Sequence, residues 1–160
     1  MEQIIEEQVQ KWQVLSRDKK RAEEPTLVIT VSREPGSGGR IVAKTLAERL
    51  GFDIFHREII QKIAESAQVS TTLLESLDEK GLSVFEDWIS SLIHKRHLWP
   101  DQYLKHLMEI IATIGKHGRA VIVGRGANFI LPPEGRLRIR IVAPLEVRVR
   151  NLVDSFGVSI

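Results

Sequence analysis

The sequence contains no cysteine. A disulfide framework, a thiolate zinc site and a cysteine nucleophile are therefore all excluded, and a reducing, cytoplasmic location is expected. No apolar run approaches the ~18–20 residues that a membrane-spanning helix needs. Met1–Gln10 is broken by Glu and Gln and has no apolar h-region, so no secretory leader is expected there. Aromatic residues are scarce at 6%, and no internal repeat or low-complexity tract occurs. Charge of one sign is also in short supply. The 23 basic and 21 acidic residues leave a net +2, too little for general nucleic-acid binding, so any anion site has to be local.

What is present is ordinary globular composition, 42% hydrophobic and 28% charged, in 160 residues. A chain of that size buries roughly 68–70% of its unfolded surface around one core. From Glu2 to Lys20 apolar residues recur at helical spacing, with a charged stretch running to Pro25. Residues 1–24 are thus expected to form a helix and linker, ahead of one α/β domain over 25–160.

Thr26–Ser32 is short, β-branched and apolar, the pattern of a buried parallel strand. Pro35-Gly-Ser-Gly-Gly39 interrupts it, and Ile41, Val42, Leu46 and Leu50 resume at helical spacing until Gly51. Further strands are expected at Asp53–Phe55, Ala120–Val123 and Leu137–Val142, with a last helix over Pro144–Phe156. Between the second and third strands, helices near Arg57 and Ser70, over Ser83–Arg96 and over Asp101–Lys116 form an insert spanning about 56–118. Alternating strands and helices imply a mostly parallel sheet whose ligands sit at the strands' carboxyl ends. Both glycine turns, Pro35–Gly39 and Gly124–Gly126, fall at that end, where they are expected to face one cleft.

Gly36, Gly38 and Gly39 let successive N–H groups turn inward around an anion, and the following helix adds its positive end. Against the pattern G-x-x-x-x-G-K-[ST], Arg33 stands at the first glycine, Gly39 at the lysine and Arg40 at the hydroxyl. Arg33 and Arg40 are the cations nearest to replace the lysine. Either could equally be a solvated surface arginine.

Ser32-Arg-Glu-Pro-Gly-Ser-Gly-Gly-Arg40, Phe55-His-Arg-Glu-Ile-Ile60 and Val121-Ile-Val-Gly-Arg-Gly-Ala127 together resemble the cytidylate kinase-like family of P-loop nucleoside monophosphate kinases, over about residues 26–157. The resemblance implies a three-layer α/β/α fold that transfers the γ-phosphoryl of ATP, with Mg2+, to a monophosphate such as CMP. It places ATP phosphates on Arg33, Gly36, Ser37, Gly38, Gly39, Arg40 and Ile41, and the acceptor near His56, Arg57 and Arg125, with Arg40 and Arg125 catalytic. Arg125 would grip the acceptor phosphate with its two-pronged guanidinium. Many relatives carry Asp where this chain has His56, which could donate a hydrogen bond to the acceptor or only cap a helix. The magnesium ligands stay unassigned, Glu34 and Asp53 being the candidate carboxylates.

The resemblance also implies an arginine-rich lid and a fifth strand beyond Phe156-Gly-Val, so the chain is expected to be C-terminally incomplete and to bind nucleotide better than it turns it over. The fourth strand would then be an open edge through which copies associate, as they could through the N-terminal helix. A regulatory nucleotide-binding module and a kinase of another small acceptor remain alternatives. His94 and His97 lie one helical turn apart with no third ligand near, which favours a solvated face. Trp88, Trp99 and Tyr103 are expected to pack within the insert.

Overall fold

The computed structural model describes residues 27–65, 87, 90, 91 and 102–156. The N-terminal helix, the helix near Ser70, His94, His97, Trp88 and Trp99 lie outside the described residues, as does nearly all of Ser83–Arg96. The chain divides into two compact units. One holds Leu27–His56 and the chain from Arg119 onward, and the other includes residues 57–65 and 102–118.

The first unit is built on β1 (Val28–Arg33), α1 (Gly39–Leu50), β2 (Asp53–Phe55), β3 (Ala120–Val123) and β4 (Arg136–Ile141). The strands form one parallel sheet in the order β2-β3-β1-β4. Because β1 is flanked on both sides, its Val28–Val31 run is buried throughout, which explains its unbroken β-branched sequence. Ile29, Val31, Val121 and Val123 turn one face of the sheet towards Ala43 and Ala47 of α1, with Leu46, Phe52, Ile54, Ile139 and Ile141 around them. Gly39, Ala43 and Ala47 are the buried residues of α1. Such small side chains let the helix lie close to the strands, and a leucine at the fully buried Ala43 would cost ~1–3 kcal/mol in overpacking.

α1 ends at Gly51, whose N–H reaches the carbonyls of Ala47 and Glu48. Phe52 N–H then bonds to Ala47 O at 2.9 Å, which turns the chain directly into β2. At the far edge of the sheet, Arg119 N–H donates to Leu27 O and Asp53 N–H to Arg119 O.

The sheet matches the expected α/β class, with small shifts of boundary. β1 begins at Val28, since Leu27 is exposed, and it runs on to Arg33, which pairs with Ile141. β4 starts one residue early because Arg136 pairs with Val28, and Val142 lies exposed past its end. Two further helices belong to this unit. α4 (Ala127–Ile130) is a single turn, and α5 (Leu145–Phe156) begins just after Pro144. Four residues before Pro132-Pro133 are too few to show helical periodicity.

In the second unit, α2 (Arg57–Glu65) packs against α3 (Gln102–His117). Ile60, Ile63, Leu107, Ile110, Ile111 and Ile114 are buried. The buried Thr113 hydroxyl donates to Glu109 O at 2.8 Å, so it leaves no polar group unsatisfied. Tyr103 is exposed. In the last turn of α3, burial lowers the His117 pKa to about 4, and adjacent Lys116 adds to the effect. Among the described residues, no helix is long and apolar enough to cross a membrane.

Candidate functional site

β1 delivers the chain to the carboxyl edge of the sheet, where Glu34 N–H adds one more bond to β4 through Ile141 O at 3.2 Å. The loop then closes on itself. Ser37 donates to Glu34 O twice, from its N–H at 3.2 Å and from its hydroxyl at 2.7 Å. Gly36 and Gly38 are both left-handed, with φ of 76° and 75°. Gly38 caps α1 through its carbonyl, which accepts from the N–H groups of Ile41 and Val42. Among the described residues, the N–H groups of Gly36, Gly38 and Gly39 donate no hydrogen bond. Three backbone donors are thus unspent beside the positive end of a twelve-residue helix with no acid in its first turn.

Arg33 is exposed, and its stem crosses Gly39 so closely that a side chain on Gly39 would begin 2.6 Å from Arg33 Cβ. Gly39 holds the lysine position of the common phosphate-loop pattern, so Arg33 runs over the place where that lysine would start. Arg40 and Ile41 stand exposed on the first turn of α1.

The second glycine turn lies at the same edge, joined to the first strand by Gly124 N–H donating to Val31 O at 2.9 Å. Gly124, Arg125 and Gly126 are left-handed in succession, with φ of 76°, 52° and 70°. For Arg125 that conformation costs on the order of 1 kcal/mol, and bonds at both ends of the turn hold it there. Gly126 O accepts from Phe129 and Ile130, which starts α4. Arg136 closes that helix by donating to Asn128 O and Leu131 O. His56 follows β2, half-buried, at the carboxyl end of the strand next to β3. Arg57 is exposed as the first residue of α2, in the other unit.

Neither candidate carboxylate suits a magnesium ion. Asp53 pairs with Ala120, and Ala120 with Val28, which puts Asp53 at the amino edge of the sheet, opposite the loop. Glu34 sits in the loop, but Arg148 Nη1 lies 3.2 Å from Oε2 and Arg140 Nη2 lies 3.8 Å from Oε1. Among the described residues, no group of three His, Asp or Glu could hold a metal. The sequence reading missed Arg148 and Asn151, which reach the loop from α5. No local pattern marks them, because they stand more than a hundred residues away from it.

A parallel sheet whose central strand enters a helix through a glycine loop defines an α/β protein of kinase-like fold. The chain belongs to the cytidylate kinase-like family, whose model matches residues 28–160. It is similar to a cytidylate kinase of Ignicoccus hospitalis, 26% identical over 133 residues. That match takes in 82% of this chain and spans 66% of the relative's length. It is also similar in fold to the crystal structure of an uncharacterized protein from Eubacterium ventriosum, with a TM-score of 0.61 and 22% identity. There the likeness covers 84% of this chain and 67% of the other.

Proposed function

We propose that the chain binds nucleotide phosphates in the Arg33–Ile41 loop and serves phosphoryl transfer from ATP to a nucleoside monophosphate, with CMP the first candidate. The observation that carries this reading is the set of unspent N–H groups on Gly36, Gly38 and Gly39 at the start of α1. Oxygens of the donor phosphates fit such a nest without any side chain. Arg33 supplies the charge that the missing lysine would bring, and Arg40 adds a second cation at the helix start.

Phosphoryl transfer is chiefly positioning and neutralisation of charge spreading over the moving group. Arg125 holds the acceptor phosphate and His56 donates to the acceptor. The strained turn at Arg125 supports this, since a non-glycine residue is kept left-handed only where surrounding structure enforces it. Magnesium would travel with the ATP phosphates as their counter-ion.

Calorimetric titration with ATP, CMP and other monophosphates, joined to an assay of ADP release, tests the reading. ATP is expected to bind, and Arg33→Met to weaken it by about tenfold or more, the worth of one charge-assisted hydrogen bond. Absence of ATP binding would sink the proposal. Binding of ATP without turnover on any monophosphate would favour a regulatory module, and turnover on a different small acceptor would move the chain to another kinase specificity.

A further inference from the structure

The loop is gripped from outside by one face of α5. Arg148 Nε donates to Pro35 O at 2.9 Å, and Asn151 Nδ2 donates to Gly36 O at 2.7 Å. The same Arg148 guanidinium meets the Glu34 carboxylate, so one planar fork holds both the backbone and the acid of the loop. The backbones touch as well, since a side chain on Gly36 would begin 2.3 Å from Arg148 O. In a planar trans peptide the carbonyl and the next N–H point in opposite directions. Tying Pro35 O to α5 therefore turns Gly36 N–H towards the other side, and Gly36 N–H is one of the unspent donors.

Glu34 would otherwise be misplaced. A carboxylate beside a phosphate site repels the ligand, and on electrostatics alone its removal should tighten anion binding. We infer that Glu34, Arg148 and Asn151 are positioning residues that brace the phosphate loop in its anion-accepting shape. This inference rests on the phosphate-binding reading above. The brace predicts the opposite sign for loss of the Glu34 charge, because relaxing the loop scatters its N–H groups.

The test is calorimetric titration of Glu34→Gln, Asn151→Ala, Arg148→Ala and Arg148→Lys with ATP and with inorganic tripolyphosphate. Glu34→Gln and Asn151→Ala are expected to weaken both ligands by about three- to tenfold, the range of one lost hydrogen bond. Arg148→Ala is expected to weaken them further, and Arg148→Lys to recover part of the loss as a single-point donor. Equal or tighter binding by Glu34→Gln overturns the inference.

Amide hydrogen exchange without ligand gives an independent reading. The brace requires faster exchange at Ser37, Ile41 and Val42 in these variants, while Val121 and Ile122 in the sheet stay as slow as in the parent chain. Unchanged exchange at those loop amides overturns the brace, whether or not the parent chain binds ATP. Failure of the parent chain to bind removes the phosphate reading, and the exchange result then decides the brace alone.

Discussion

Replacing the three loop glycines one at a time with alanine should produce three different losses, ordered by what each new methyl group meets. At Gly38, φ is 75° and nothing lies within 4 Å of the added carbon, so only backbone strain is paid, ~1 kcal/mol. At Gly39 the added carbon would stand 2.6 Å from Arg33 Cβ, an atom that no change of rotamer moves, and overpacking of ~1–3 kcal/mol follows. At Gly36 both effects combine. Its φ is 76°, and the methyl would lie 2.3 Å from a main-chain oxygen of α5, where real Cβ atoms do not approach within 3.0 Å. Helix and loop must separate, which sacrifices the Asn151 and Arg148 bonds at ~0.5–1.5 kcal/mol each on top of the strain. The total comes to ~2–4 kcal/mol, a large share of a typical stability of ~5–15 kcal/mol. Urea unfolding followed by circular dichroism measures all three. A Gly36→Ala loss no greater than that of Gly38→Ala refutes the reasoning. Gly38→Ala should also lose ATP affinity out of proportion to its small stability cost, because strain at its left-handed backbone shifts the N–H groups on either side of it.

Three further outcomes are expected. The folded pKa of His117 is lowered to about 4 from 6.5, so the unfolded state binds the proton more readily. Stability should therefore fall as pH drops from about 6.5 to about 4, by on the order of 3 kcal/mol, and His117→Asn should flatten that part of the pH–stability curve. Arg125→Gly should leave stability unchanged or raise it by ~1 kcal/mol, while acceptor binding falls, as thermal melts and CMP titration would register. β4 is the edge of the sheet among the described residues and carries exposed Leu137, Arg138 and Arg140. Arg138→Thr with Arg140→Thr should therefore increase self-association of the 160-residue chain in sedimentation, and an unchanged monomer would contradict this.

Wherever local sequence decided the outcome, the fold was legible. The run Val28–Val31 reads as a buried strand because both its neighbours are strands. Helical spacing of Ile41, Val42, Leu46 and Leu50 announced α1, yet Ile41, Val42 and Leu50 lie exposed and the helix buries Gly39, Ala43 and Ala47 instead. Gly51 marked a helix end correctly. Glu34 was harder to read. As the only carboxylate in the loop it resembled a metal ligand, yet Arg140 and Arg148 engage it from far along the chain. Arg136 closes α4, a helix too short to announce itself in the sequence. Asp53 fell at the wrong end of its strand, since strand direction in the sheet, and not composition, fixes which edge a residue occupies.

The loop is also completed late. The strand that carries it, β1, bonds to β4 across 107 residues, and the loop's own bonds to α5 span 113 and 115. Contacts of such separation slow folding, because a long stretch of chain must be ordered before they form. During synthesis the phosphate loop leaves the ribosome well before Arg148 and Asn151 exist to hold it. The braced shape of the loop is therefore among the last features of the unit to form, since it needs α5 in place.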